Sequence, residues 1–420
     1  MSASVAQATW LHAEHLQALL KALGSDGEEA RVVGGAIRNT LLGLHAKDID
    51  IATTRRPEDA SAVANALGYK VVPTGIEHGT ITIITPEGPY EVTTLREDVE
   101  TDGRHAKVEF GRNWRADAER RDFTVNALYA EPDGRIIDLV GGLADIGERR
   151  IRFIGDSDQR IEEDGLRILR FFRFYAHYGA GRPDADGLRA CVRHKGSLLH
   201  LSAERVWSEL RRLLEAKDPR RALLWMRQTS VLTTVLPESE KWGIDTVATL
   251  IETERTLNIA PDPMLRLAAI VPPTLERLGP MMDRLRLSNT ERDRLNGWVG
   301  TQTTDTDGPS LRELAYRQGQ QAVLDNLALR HANAQAADMT NDATNIARAY
   351  AALRKWEIPI LPIKGGNLVA LGVGKGPAVG ALQRDLEDRW IASDFTLTRN
   401  ELLSTAEELI ASQSAPEAGF

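Results

Sequence analysis

The sequence predicts an α+β architecture, with a mixed sheet and flanking helices in the first third and helices alone to the end. Short β-forming runs, Arg31–Val33, Asp48–Ala52, Thr80–Thr85, Glu91–Leu95 and Arg135–Leu139, fall before about residue 150, and from Ile151 onward strand patterns nearly vanish. A third observation places chemistry in the sheet half. Gly34-Gly35 is followed, past a short helical stretch, by Asp48-Ile49-Asp50-Ile51.

Each element has a local reason. Trp10 to Leu23 has the spacing of an amphipathic helix before the first strand. Arg31-Val32-Val33 forms a strand, and Gly34-Gly35 makes a turn whose bare backbone can approach a triphosphate closely. Ala36 to Leu44 reads as a helix, with Arg38 one turn in, where a guanidinium can meet phosphate oxygens facing the helix start. Side chains alternate along a strand, so Asp48 and Asp50 share one face while Ile49 and Ile51 enter the core. Two such carboxylates make a hard oxygen site for Mg²⁺. The Pro86-Glu87-Gly88-Pro89 turn leads into an alternating strand that carries Glu91.

Arg96 to Phe110 is a charged run with Gly103 and no apolar periodicity, which reads as a mobile loop. Arg121 and Asp122 precede an apolar run in which Asn126 is the other notable polar side chain, so they hydrogen-bond a sugar, brace the site or simply pair with neighbours. A helix is expected from about Arg160 to Tyr178, with Asp164 and Arg167 on adjoining positions of its polar face. Further on, Ser288 to Glu291 and Thr398 to Glu401 have capping-box spacing. Thr301 to Ser310 marks a linker, and Ala411 to Phe420 is low in apolar residues and expected to fray. Gly372 to Pro377 lacks both the leading glycine and the Ser or Thr of a Walker A loop, and reads as a glycine turn between helices.

The motifs together resemble a known family. Gly34 to Gly43 is similar to the GGxVRDxLLG segment of class II tRNA nucleotidyltransferases and bacterial poly(A) polymerases, within the DNA polymerase beta nucleotidyltransferase superfamily. Arg120 to Ala127 resembles their RRDFTxNA motif, Asp138 to Gly142 the DxxGG segment, Glu163 to Arg170 EDxxRxxR, and Glu204 to Leu210 ERVxxEL. Two positions depart from the pattern. Asn39 replaces the usual Asp, and Gly165, where Pro or Ala is common, should loosen a helical turn by about 1 kcal/mol.

The resemblance implies a polymerase-beta-like catalytic head at 1–150, a neck with base-recognition helices at 151–220, a helical body at 221–305 and an RNA-binding helical tail at 306–420. It implies catalytic carboxylates Asp48, Asp50 and Glu91, with Mg²⁺ on Asp48 and Asp50. The implied nucleotide-binding set is Gly34, Gly35, Arg38, Arg121, Asp122, Asn126, Asp164, Arg167 and Arg170, with ribose recognition falling to Arg121 and Asp122. Arg96, Asp102 and Arg104 become candidates for a loop that helps the site change from C to A addition.

Cytosine and adenine share an exocyclic amine beside an unprotonated ring nitrogen. A carboxylate and a guanidinium suit both, whereas uracil and guanine present the reverse order. The resemblance implies that Asp164 and Arg167 read this pattern; read alone, the two residues form an ordinary intrahelical ion pair. The expected reaction is untemplated addition of C, C and A to tRNA from CTP and ATP. The rivals are a poly(A) polymerase, a CC-only or A-only enzyme and, from another class, an inactive RNA-binding module.

Composition narrows the setting. Cys191 is the single cysteine in 420 residues, which excludes an intrachain disulfide and a cysteine-rich metal site and suits a reducing, cytoplasmic setting. The start, Met1-Ser2-Ala3-Ser4, lacks a signal pattern, and neither a membrane span nor a protein partner is implied. Net charge is −8, yet arginines recur from Arg149 to Arg221, giving a local basic track for a nucleic-acid ligand on an acidic protein.

Overall fold

The computed structural model describes residues 3–102, 105–240 and 244–414. The chain divides into two compact units, Met1–Glu240 and Lys241–Phe420. Among the described residues no helix is long and apolar enough to cross a membrane.

The first unit is built on a mixed sheet. Its strands are β1 (Ala30–Val33), β2 (Asp50–Thr53), β3 (Lys70–Gly75), β4 (Thr80–Thr85), β5 (Gly88–Thr94), β8 (Leu128–Ala130) and β9 (Ile136–Asp138), in the order β3-β4-β5-β2-β1-β8-β9. β2 and β5 run parallel and the other neighbours antiparallel. Helix α1 (Glu14–Leu23) buries Leu16, Leu19, Leu20 and Leu23, the i, i+3, i+4, i+7 stripe of an amphipathic helix. Helix α2 (Gly35–Leu41) follows β1 directly, and α3 (Pro57–Ala66) begins with proline at its first turn.

Several boundaries differ from the sequence expectation. The strand expected over Asp48–Ala52 begins only at Asp50, so Asp48 lies in the approach to β2 and not on its pleated face. The helix expected from Trp10 opens as a 3₁₀ turn, Thr9–His12, and the one expected to reach Leu44 stops at Leu41. Arg96 to Phe110 is not an open loop: β6 (Arg96–Asp102) and β7 (His105–Phe110) pair as an antiparallel ribbon. Backbone pairing makes this ribbon, which apolar periodicity cannot reveal. Arg104 lies outside the described residues.

The sheet connects to the helical part of the first unit through α4 (Trp114–Glu119) and α5 (Gly142–Gly147). Asp138 holds this connection by accepting from the backbone of Gly141 at 2.8 Å, Gly142 at 2.9 Å and Leu143 at 2.9 Å. Only glycine fits at 142, since a Cβ there would stand 2.3 Å from the Thr124 carbonyl oxygen.

The single helix expected over Arg160–Tyr178 is two, α6 (Ser157–Glu163) and α7 (Arg167–Tyr178). The backbone turns extended at Asp164, with φ −154° and ψ 105°. Gly165 therefore sits in the break and not inside a helix. A Cβ on it would lie 2.5 Å from Ser197 Oγ. α7 is fixed to the sheet half by packed rings, with Phe123 tilted against Phe153 at 4.9 Å and against Phe174 at 5.1 Å, and Phe153 stacked on Phe171 at 5.6 Å. α8 (Ala185–His194) and α9 (Ala203–Leu214) follow.

The second unit is helical throughout its described residues. Its long helix Gln320–Ala336 buries residues on every face. Both expected capping boxes form: Ser288 with Glu291, and Thr398 with Glu401. The last helix runs on to Ser414, into the stretch expected to fray.

Candidate active site

Gly34 ends β1 at φ 76° and ψ −116°, a conformation closed to side-chain-bearing residues at ordinary cost. Its amide is pinned to the Leu128 carbonyl at 2.9 Å. Beside this turn, Asp50 opens β2 as the register partner of Val33 on β1 and of Glu91 on β5. Burial first, then the Glu91 and Asp48 charges, push the Asp50 carboxyl up to about 6 against the opposing pull of Arg121. Asp48 and Glu91 are exposed and Asp50 is half-buried.

A cavity of about 480 Å³ begins at this turn and reaches α7. Of the twelve residues singled out by sequence, ten line it: Gly34, Gly35, Arg38, Asp50, Arg121, Asp122, Asn126, Asp164, Arg167 and Arg170. Asp48 and Glu91 stand outside the lining, and Leu166, Phe174 and Arg205 join it. Five guanidiniums thus face three carboxylates, a net positive wall suited to a polyphosphate. A larger cavity of about 660 Å³ in the same unit, lined in part by Arg115, Arg152 and Asp184, contains neither the glycine turn nor Asp50.

Each charged group is held by a specific neighbour. Buried Asp117 takes Arg121 Nη2 at 3.1 Å and the Tyr129 hydroxyl at 2.7 Å. Against the upward push of burial, Arg121 and Arg120 keep the Asp117 carboxyl below its ordinary value. Asp122 takes Arg170 through Nε at 2.8 Å and Nη2 at 2.5 Å, and Asn126 Nδ2 at 3.0 Å. These partners lower its pKa despite burial. Arg121 and Asp122 therefore do pair with neighbours, while both still line the cavity.

Arg38 lines the cavity beside the glycine turn with its guanidinium already engaged within the protein. It is 6 % exposed and donates to Asn126 Oδ1, to Asn39 Oδ1 at 2.9 Å and to the Tyr178 hydroxyl at 2.9 Å, with its carbon centre 4.1 Å above the Tyr178 ring. Three of its donor groups are engaged within the protein. Asn39 suits this arrangement because its Nδ2 also donates to the His45 carbonyl at 3.1 Å, which a carboxylate cannot do.

The break between α6 and α7 separates Asp164 from Arg167. Asp164 Oδ2 accepts from Arg205 at 2.7 Å and Oδ1 from the Leu166 amide at 3.1 Å. Arg167 Nη1 donates to Glu163 Oε2 at 2.5 Å and to the Arg160 carbonyl at 2.7 Å. The Arg167 amide donates to the Asp164 carbonyl at 3.0 Å, but among the described residues their side chains form no ion pair, which removes the intrahelical ion pair as their reason for being there. Arg167 Nε and Nη2 meet no partner among the described residues and keep donors for a ligand.

Sequence reasoning passed over Arg205 and Phe174, although Arg205 lies in the ERVxxEL segment. Its contact with Asp164 spans 41 residues and could be found only through that motif. Among the described residues, no set of three or more His, Cys, Asp or Glu already encloses a single point. Mg²⁺ commonly takes one or two carboxylates and completes its shell with water and substrate phosphate. The hard oxygen donors of Asp48, Asp50 and Glu91, whose mutual repulsion a cation would relieve, fit that ion.

Comparison with known proteins agrees with this geometry. A family model described as "Poly A polymerase head domain" matches residues 30–152, and one described as "Probable RNA and SrmB- binding site of polymerase A" matches 183–242. The mitochondrial CCA tRNA nucleotidyltransferase 1 of Danio rerio is 32% identical over 410 residues, covering 90% of this chain and 87% of its own. A CCA-adding enzyme of Limosilactobacillus fermentum is 33% identical, covering 94% of this chain and 97% of its own. The crystal structure of the Bacillus stearothermophilus CCA-adding enzyme in complex with CTP superposes with a TM-score of 0.72 at 25% identity, over 94% of this chain and 97% of that one. With such identity sustained along nearly its full length, the chain belongs to the class II CCA-adding enzyme and poly(A) polymerase family of nucleotidyltransferases.

Proposed function

We propose that this enzyme adds C, C and A to the 3′ end of tRNA from CTP and ATP, releasing pyrophosphate. The observation that carries the reading is a single cavity with the glycine turn and Asp50 on one wall and Asp164 and Arg167 on the other. A nucleotide bound there presents its triphosphate to the first wall and its base to the second. Full-length likeness to CCA-adding enzymes supports CCA addition over poly(A) synthesis.

In this reading Arg121 lies beside the triphosphate, since a Cβ on Gly34 would come within 4.0 Å of its Nη1. Asp164 keeps lone pairs for the exocyclic amine of cytosine or adenine, and Arg167 Nε and Nη2 supply donors for the adjacent ring nitrogen. Uracil and guanine leave both groups unsatisfied. The RNA 3′ oxygen bonds to the α-phosphorus as the bond to the bridging oxygen breaks, and pyrophosphate departs with that electron pair. Asp48, Asp50 and Glu91 would hold Mg²⁺, which when bound supplies charge neutralisation and a more acidic 3′-hydroxyl. The protein's own share is positioning and electrostatic pre-arrangement. Residues 1–150 act as the catalytic head, 151–220 as the neck, 221–305 as the body and 306–420 as the RNA-binding tail.

The test is incorporation of labelled nucleotides into tRNA lacking its 3′ terminus. CTP and ATP entering in the order C, C, A, with UTP and GTP refused, is the expected result. Addition of ATP alone to many RNAs would identify a poly(A) polymerase instead.

A further inference from the structure

We propose that Tyr178 is a positioning residue for nucleotide addition, tying the end of α7 to the glycine turn through Arg38. This rests on the nucleotidyl-transfer reading of the cavity. Tyr178 does not itself line that cavity, and the motifs do not include it.

The bonds form a closed circuit. Tyr178 Oη accepts from Arg38 Nη2 at 2.9 Å, Arg38 Nη1 donates to Asn126 Oδ1, and Asn126 Nδ2 donates to Asp122 Oδ1 at 3.0 Å. Asp122 Oδ2 then accepts from Arg170, which returns the path to α7. Both ends of the base-reading helix are thereby fastened to the sheet half. The polarity of each link is fixed: Asn126 must turn its oxygen to the guanidinium and its nitrogen to the carboxylate. Such a network holds one geometry only while every member is satisfied.

Arg38 is the member that lies against the glycine turn. A Cβ on Gly35 would lie 3.6 Å from its Nη2, so the guanidinium sits directly under the turn. The Tyr178 hydroxyl accepts from that nitrogen while its ring lies flat against the charge. Without the hydroxyl, Arg38 keeps the stacking and its bonds to Asn39 and Asn126 but loses the one acceptor that ties its rotation to α7. The distance between the triphosphate wall and the base wall then slackens, which weakens binding of CTP and ATP alike without touching the reacting atoms.

The experiment is steady-state kinetics of Tyr178→Phe on tRNA lacking its terminal residues. KM for both CTP and ATP is expected to rise about tenfold, the effect of losing a hydrogen bond to a charged group, while kcat at saturating nucleotide and the melting temperature stay near wild type. Arg38→Lys should raise KM similarly, and the double variant should be no worse than Arg38→Lys alone, because both changes break one path. A purely structural Tyr178 would lower the melting temperature with KM unmoved, or add its effect to that of Arg38→Lys. Either result overturns the proposal. Wild-type protein that incorporates neither nucleotide would instead sink the functional reading on which it stands.

Discussion

Asp50 and Glu91 are register partners on adjacent parallel strands, so two like charges stand side by side, Asp50 in the lining of the cavity and Glu91 just outside it. The burial of Asp50 and this repulsion are a cost that the proposed Mg²⁺ would offset. Asp50→Asn should lower kcat by about a hundredfold or more, since several kcal/mol of metal electrostatics depend on it. Glu91→Gln, with an exposed side chain, should do less and raise the Mg²⁺ concentration needed for half-maximal rate. Rate against Mg²⁺ for both variants is the measurement, and a full rate in Asp50→Asn would remove it from the ligand set.

Arg205 sets where the Asp164 carboxylate points, through a 2.7 Å bond. In Arg205→Met that bond is absent, and a hydrogen bond to a charged group is worth roughly 1.5–3 kcal/mol, or about ten- to a hundredfold in discrimination. Competition between CTP and UTP on the same tRNA should therefore show more uridine incorporated. Unchanged selectivity would mean that Asp164 holds its aim unaided.

Gly34→Ala puts a side chain on a backbone at φ 76°, and its Cβ would meet the Asn126 carbonyl at 3.4 Å. The expected loss is about 1–3 kcal/mol of stability, together with most of the nucleotide affinity. Gly43→Ala is the companion measurement: φ there is 69° and open space surrounds the position, so its unfolding midpoint should move less and its KM not at all. Equal effects at both sites would argue against a close backbone approach at Gly34.

In the second unit His331 is 2 % exposed, with Nδ1 2.8 Å from the Thr253 hydroxyl, and burial lowers its pKa. The fold favours the neutral ring. Above the ordinary value of about 6.5 folded and unfolded chains are both neutral there, and the contribution to stability is fully present. As pH falls below that value the unfolded chain takes up a proton that the fold resists, and stability is lost. Unfolding midpoints between about pH 7.5 and 5.5 should fall less steeply in His331→Gln than in wild type.

Locally encoded features were legible in the sequence, and features closed by distant partners were not. The glycine turn, the strand Thr80–Thr85 and both capping boxes depend on residues within a few positions of one another. β8 is three residues long with all three buried, too short to show an alternation. β3 carries Pro73 and Gly75, which mask its strand character, and its pairing slips register between Val72 and Gly75. Ile161 and Ile168, both buried, stand seven residues apart and keep helical phase across the interruption between α6 and α7, so the break is not marked by their spacing. The place of Arg38 after the glycines is visible locally, whereas its hydroxyl partner lies 140 residues away.

That interruption has a consequence for how a nucleotide preference can change. Were Asp164 and Arg167 on one continuous helix, rotating either would carry the other with it. Because the backbone stops and restarts between them, Arg205 aims the acceptor and Glu163 aims the donor separately. If the proposed base-reading role holds, a substitution at either supporting position re-points one of the two groups while its counterpart stays put, so acceptance of a new base can be acquired in single steps.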